Sequence, residues 1–188
     1  MHIRFPTLQD VNACFQLDGR VDTHYVWQLQ RSVDAQKISV VLQRVRLPRA
    51  LRLPSPYLGE SLIRHYEQRD GIWVAVDGGK VVGFVDVEWG PEEGLAWIRY
   101  VVVDASRRRL GIGGRLLERA LERARRRGMT RAMCVVDVKN DPAIQFFQRW
   151  GFVPAGYNEA YLSDGNIAIY LARPLRRRIF SSGGSEEG

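Results

Sequence analysis

The segment VVVDASRRRLGIGGRLLERAL, Val101 to Leu121, constrains this chain most strongly, because it runs from a β-branched strand through an Arg- and Gly-rich corner directly into an amphipathic helix. Leu116, Leu117, Ala120, Leu121 and Ala124 fall on one stripe, opposite Arg115, Glu118, Arg119, Glu122 and Arg126, and Gly128 ends the helix. The order of strands and helices along the chain reads as mixed α/β. Gly111, Gly113 and Gly114 leave the corner bare of side chains, and the helix N-terminus adds about half a positive charge. That combination accommodates a diphosphate. It is not a nucleotide-hydrolysing loop, because the Gly-Lys-Ser/Thr ending is absent. A dinucleotide fold is also excluded, because a second strand-helix-strand half is missing.

The rest of the 188 residues fit around this unit. His2–Phe5 reads as a strand, and Thr7 caps a helix running through Val11, Phe15 and Leu17 to Gly19, with Asp10 in its first turn. Tyr25–Gln30 and Ile38–Leu47 alternate as a hairpin about the polar stretch RSVDAQK, with Pro48, Pro54 and Pro56 ending it. Gly59–Arg69 reads as a helix terminated by Asp70-Gly71. The strands Ile72–Val76 and Lys80–Trp89 turn at Asp77-Gly78-Gly79, and Gly90–Gly94 leads into Leu95–Val103, giving an antiparallel meander. Ala132–Val138 and Pro142–Trp150 follow as strand and helix, and Phe152–Tyr157 and Ile167–Ala172 close the sheet. The expectation is one domain over 1–175, with an inserted hairpin at about 20–58 and a disordered tail over 176–188.

Composition narrows the partners. Net charge is +7, and all but three of the 28 basic residues are arginine, the exceptions being Lys37, Lys80 and Lys139. An anionic partner follows: a nucleic acid, an anionic membrane face or a polyphosphate cofactor. No apolar run approaches the roughly 20 residues of a membrane span, and the first ten residues hold no signal-like segment, so the expected location is cytoplasmic with no membrane partner. Cys14 and Cys134 make no disulfide framework. His2, His24 and His65 show no ligand spacing, so no metal is expected.

Two motifs then coincide. Arg108-Arg109-Leu110-Gly111-Ile112-Gly113 resembles the Arg/Gln-x-x-Gly-x-Gly/Ala hallmark of the GCN5-related N-acetyltransferase (GNAT) family. Asn140-Asp141-Pro142-Ala143-Ile144, ending in Gly151-Phe152, is similar to that family's Asn-x-x-Ala-Ile…Gly-Phe segment. The resemblance covers about Asp70 to Pro174 plus the opening IRFPTLQD.

The resemblance implies a mixed α/β fold whose mostly antiparallel sheet splays between two parallel strands. It implies acetyl-CoA as acyl donor and an N-acyltransferase that passes acetyl to a primary amine of a small molecule or protein by direct attack. Carried over residue by residue, Val101, Val102 and Val103 would pair with the pantetheine arm, and Arg108, Arg109, Leu110, Gly111, Ile112, Gly113, Gly114 and Arg115 would hold the phosphates. Asn140, Ala143, Phe146 and Phe147 would line the cofactor beyond them.

The family often has a Tyr acid where this chain has Phe147, so another acid is sought among Tyr100, Tyr157 and Tyr161, with Tyr157 taken as candidate. Phe84, Asp86 and Glu88 share a strand face, and Glu88, or Asp86, is the candidate base. Cys134 has no His neighbour in the sequence and is not expected to be a nucleophile.

Residues 20–58 lie where similar enzymes shape the acceptor pocket. Tyr25, Trp27 and Leu29 share a face that serves as an acceptor wall, as the docking face of the hairpin, or as a contact in a homodimer. Two alternatives stay beside the enzyme. One is a coenzyme-binding sensor without turnover, motivated by Phe147. The other is a nucleic-acid module, motivated by the arginine clusters but lacking a zinc-finger, RNP1 or GXXG signature.

Overall fold

A computed structural model describes residues 1–56, 58, 60–90, 94–162 and 165–175. The expected tail 176–188, the helix start at Gly59 and the middle of the Gly90–Gly94 turn lie outside these residues. Strand β1 (His2–Arg4) leads to helix α1 (Leu8–Phe15), then to the hairpin strands β2 (Val21–Val33) and β3 (Ile38–Leu53) and helix α2 (Ser61–Glu67). Strands β4 (Ile72–Asp77), β5 (Lys80–Trp89) and β6 (Leu95–Val103) form the meander. Helix α3 (Ile112–Arg126), β7 (Arg131–Asp137), α4 (Asp141–Arg149), β8 (Val153–Asn158) and β9 (Ala168–Pro174) complete the chain.

Among the described residues seven strands make one sheet in the order β1-β4-β5-β6-β7-β9-β8, in which only β6 and β7 run parallel. The stripe predicted on α3 is buried at Leu116, Leu117, Ala120, Leu121 and Ala124, and packs with Ile144 and Phe147 of α4 on Val85, Val87 and Ile98. The other face of the sheet is covered by α1 and α2, with Val11, Cys14 and Leu62 against Ile72, Val74, Phe84 and Val102. Each fully buried aliphatic side chain contributes roughly 1.5–3 kcal/mol.

The start of α1 is a reciprocal cap. Thr7 Oγ1 accepts the Asp10 amide at 3.3 Å, Asp10 Oδ2 accepts the Thr7 amide at 2.7 Å, and Arg4 pairs with the same carboxylate at 2.6 Å. Burial alone would raise the Asp10 pKa; the hydrogen bonds from Arg4 and Thr7 outweigh it and hold the carboxyl below its ordinary range. A lowered carboxylate pKa stabilises the fold fully above the unfolded value of about 3.9, and that stabilisation is lost as pH falls through the folded value. Asp10→Asn therefore costs about 1 kcal/mol at pH 7. Melting curves of wild type and variant should converge between pH 5 and pH 2. Parallel curves across that range would reject this role for Asp10.

The hairpin departs from expectation in length. Only Arg31, Ser32 and Val33 of the stretch RSVDAQK join β2, and Asp34 closes the turn itself: its amide donates to Lys37 O at 2.9 Å, and its carboxylate accepts the Gln36 and Lys37 amides, also at 2.9 Å. Nor does Pro48 end the hairpin. Thr23 pairs with Leu51 and Tyr25 with Arg46, so Pro48 sits in a bulge that asks no ladder hydrogen bond of it, and β3 continues to Leu53.

Candidate active site

The corner between β6 and α3 is built as an anion cradle. Gly111 takes φ +76° at the N-terminal boundary of α3, a left-handed conformation that glycine adopts without steric cost. A Cβ placed there would meet nothing within 4 Å. The amides of Gly111, Ile112, Gly113 and Gly114 donate to no acceptor among the described residues. Four free N–H groups at a dipole's positive end are the donor set a diphosphate needs, so the residues present fit that group.

The glycines of the first turn differ in their reasons. A Cβ on Gly113 would sit 3.5 Å from Val103 and 3.6 Å from Phe146. One on Gly114 would sit 2.9 Å from the Trp150 ring, so Gly114 is there to let α4 approach α3.

Beside the cradle the sheet opens. β6 and β7 pair from Leu95↔Arg131 only as far as Ile98↔Cys134. Beyond that point β6 continues to Val103 paired only with β5, and β7 continues to Asp137 paired only with β9. The parting coincides with a bulge, because Asp86 faces Tyr100 and Val87 faces Ile98, which leaves Arg99 as the extra residue of β6. Past Ile98 the margin of β6 that faces β7 makes no ladder with it, and at Val101 and Val102 it offers backbone donors and acceptors suited to an extended amide-bearing arm.

The arginines divide their work. Arg108 Nε donates to Val103 O at 3.0 Å, and its terminal nitrogens donate to Arg20 O at 2.6 Å and Asp18 O at 3.3 Å. Its guanidinium thus ties the 18–20 segment to the strand end. Arg107 pairs with Asp77 at 3.4 Å. Arg109 and Arg115 are exposed at the corner, and no ion pair engages them among the described residues. Asp70 is gripped by Arg123 and Arg127, and Arg127 also lies over the Trp89 ring. Part of the basic surplus is therefore spent inside the fold.

Asn140 caps α4, its side-chain oxygen accepting the Ala143 amide at 3.2 Å. Phe147 is buried at 6% exposure between Phe146 and Phe152, with both ring centroids at 5.2 Å. Phe146 is partly buried beside Gly113. Glu88 faces Trp97, where β6 is still paired with β7, and carries Arg99 at 3.6 Å. Asp86, one step along the same face, stands beside Tyr100 past the parting and is fully buried. Tyr157 lies on the edge strand β8 opposite Ile169, two strands from the split. Burial pushes the thiols of both Cys14 and Cys134 up, Cys14 to about 12, so neither is a ready nucleophile.

The model of the Acetyltransferase (GNAT) family matches residues 43–152, more than half of the chain. The chain belongs to the GNAT family. It is similar to the streptothricin acetyltransferase of Streptomyces lavendulae, with 27% identity over 170 residues covering 88% of this chain and 90% of that protein. An uncharacterized N-acetyltransferase of Methanocaldococcus jannaschii is 39% identical over 88 residues, 44% of this chain and 39% of that protein's length. The crystal structure of a nourseothricin acetyltransferase superposes with a TM-score of 0.79 at 27% identity, covering 93% of this chain and 98% of that one. The splayed mixed sheet is thus the family's fold, and acetyl-CoA is the family's acyl donor.

This GNAT chain anchors its hairpin through the Tyr25-Trp27 face and through Arg44 and Asp141, the latter two being residues to which the motif reading gave no such role. Arg44 makes a bidentate pair with Asp141 at 2.7 and 2.8 Å, Trp27 Nε1 donates to the same carboxylate at 3.0 Å, and the Trp27 amide donates to Val138 O at 2.8 Å. Tyr25 lies under the Arg44 guanidinium at 3.7 Å. Of the three roles held open for the Tyr25-Trp27-Leu29 face, docking is the one the contacts of Tyr25 and Trp27 support. Asp141 is 4% exposed, so Asp141→Ala strips three donors of their acceptor at once. Limited proteolysis should then cut within 21–53 at least tenfold faster while α3 amides keep their exchange protection; unchanged cleavage would reject the anchor.

Proposed function

We propose that this chain transfers the acetyl group of acetyl-CoA to a primary amine of a small molecule, by direct attack while both are bound. The observation that carries this reading is the juxtaposition of free α3 amides at the Gly111 corner with the parting of β6 from β7. In this reading the amides of Gly111–Gly114 and the guanidinium of Arg109 bind the diphosphate, and the edge of β6 at Val101–Val102 aligns the arm so that the thioester stops at the split. Bound acetyl-CoA supplies an acetyl group activated by a thiol of pKa about 8.5, which departs readily near neutral pH. Burial of Phe147 in the core is compatible with departure unaided by a tyrosine at that position.

The acceptor side is the α1/α2 face. A cavity of about 230 Å³ lies there between Cys14, Phe15 and Leu17 of the α1 end, Ser55, Pro56 and Leu58, and Val102 of β6. The end of the 20–58 segment thus walls a cavity that reaches β6 past the parting. In this reading it shapes the acceptor site, while the hairpin proper braces α4. The names of two relatives, streptothricin and nourseothricin acetyltransferase, point to antibiotics of that class as the first acceptors to assay.

Purified protein should release thiol from acetyl-CoA with a streptothricin-class amine at a rate at least 10²-fold above the amine-free rate. Lysine and a peptide bearing only an α-amine serve as comparison acceptors. Tight acetyl-CoA binding with no thiol release for any amine would replace this reading with that of a coenzyme-binding sensor.

A further inference from the structure

The α1/α2 side of the core holds one pair that its apolar surroundings do not call for. His65 of α2 and Asp86 of β5 meet at 2.5 Å between Nδ1 and Oδ1, with side chains 7% and 0% exposed, among Leu62, Ile72, Val74 and Phe84. Asp86 Oδ2 is buried with no hydrogen-bond partner, and the other ring nitrogen of His65 makes no hydrogen bond among the described residues. Burying a carboxylate with half of its acceptor capacity unused is costly, and an aliphatic pair of the same volume would join α2 to the sheet at least as well. A structural tie does not explain the chemistry of this choice.

Position does. Asp86 is the β5 residue that faces Tyr100, just past the point where β6 and β7 part, and Cys14, which lines the acceptor-side cavity, lies within electrostatic reach of Asp86. The pair therefore stands one strand behind the place where an acetyl thioester would end. We infer that His65 and Asp86 form the proton-accepting pair of the reaction, His65 taking the proton that the acceptor amine loses and Asp86 holding the imidazolium. This rests on the acetyltransferase reading above. The amine nitrogen bonds to the acetyl carbon, the carbon–sulfur bond breaks with its electron pair on sulfur, and the nitrogen's proton passes to His65, directly or through one water, and then to the thiolate.

Other groups face the pair from each packed element. Asp10 and Cys14 lie on α1, the former held by Arg4; Tyr66 follows His65 on α2 and stacks on Phe5; Glu88 shares the β5 face with Arg99 across it; Tyr100 stands on β6. Asp70, at the end of α2, is occupied by Arg123 and Arg127. Asp86 is the hydrogen-bond partner of His65 Nδ1.

The test compares two amines of different basicity in His65→Gln and Asp86→Asn. A lysine-like amine of pKa about 10.4 is almost wholly protonated at pH 7 and needs a base, whereas a weakly basic amine does not. With the lysine-like acceptor, kcat/KM should fall by about 10²-fold or more and the acidic limb of its pH profile should vanish. With the weakly basic acceptor the loss should stay below about threefold, and acetyl-CoA affinity by calorimetry should not change. Equal losses for both amines, or no loss for either, would overturn the inference.

Should the variants not fold, ¹⁵N-detected titration of the His65 ring in wild type decides: its midpoint must coincide with that of the acidic limb, and a different midpoint overturns the assignment. Absence of thiol release from wild type with every amine would instead remove the acetyltransferase reading itself.

Discussion

Gly111→Val should weaken acetyl-CoA binding by about 10²-fold or more, while lowering the melting temperature of the free protein by only about 2–8 °C. The two effects separate because they have different sources. The conformation at φ +76° costs an L-residue roughly 1–2 kcal/mol, and each kcal/mol shifts the melting of a domain of this size by about 2–4 °C. A Cβ at this position meets no protein atom, so there is no clash to add to the strain. The new side chain would instead fill the space in front of the free α3 amides, where the diphosphate is expected, and 10²-fold corresponds to about 2.7 kcal/mol. Titration calorimetry beside thermal melting of the same preparation reads both quantities. Equal losses, or unchanged affinity, would mean that the corner is only a tight connection.

The second large effect falls on stability. Gly71 opens β4 at φ +86°, and a Cβ there would lie 2.2 Å from the backbone oxygen of Val87, whose amide donates to Gly71 O at 2.7 Å. A backbone oxygen cannot swing aside as a side chain can. Gly71→Ala thus combines left-handed strain with a forced displacement of β4 from β5, together about 3 kcal/mol or more. Denaturant melts should show that loss. Because Val87 follows Asp86 and the same Cβ would be 3.7 Å from the His65 ring, the variant should also disturb the His65–Asp86 pair and lower turnover beyond what its unfolded fraction accounts for. A loss below 1 kcal/mol would show that the strands yield easily here.

Local signals made much of this legible. The α3 stripe, the Thr7 cap, the Asp77-Gly78-Gly79 turn and the Gly-rich corner each depend on residues within a few positions of one another, and each appears where the chain placed it. Long-range choices were not legible. Nothing near Arg108 announces that its guanidinium is taken by carbonyls about 90 residues earlier, and nothing near Asp141 announces Arg44 and Trp27. Pro48 reads as a strand end unless the bulge opposite His24 is known.

His65 illustrates the same limit. It lacks ligand spacing in the sequence, and its partner Asp86 lies 21 positions away on another element. Glu88 and Asp86 share a strand face by alternation, but only the register shows which of them stands beside the opened part of β6.

A crystal structure of the protein with acetyl-CoA bound tests the central claim most directly. Phosphate oxygens within about 3 Å of the Gly111–Gly114 amides, with the thioester between β6 and β7 at the level of Tyr100, are the predicted result. A diphosphate bound elsewhere, or Tyr100–Val103 closed against Val135–Asp137 in a continuous ladder, would contradict it.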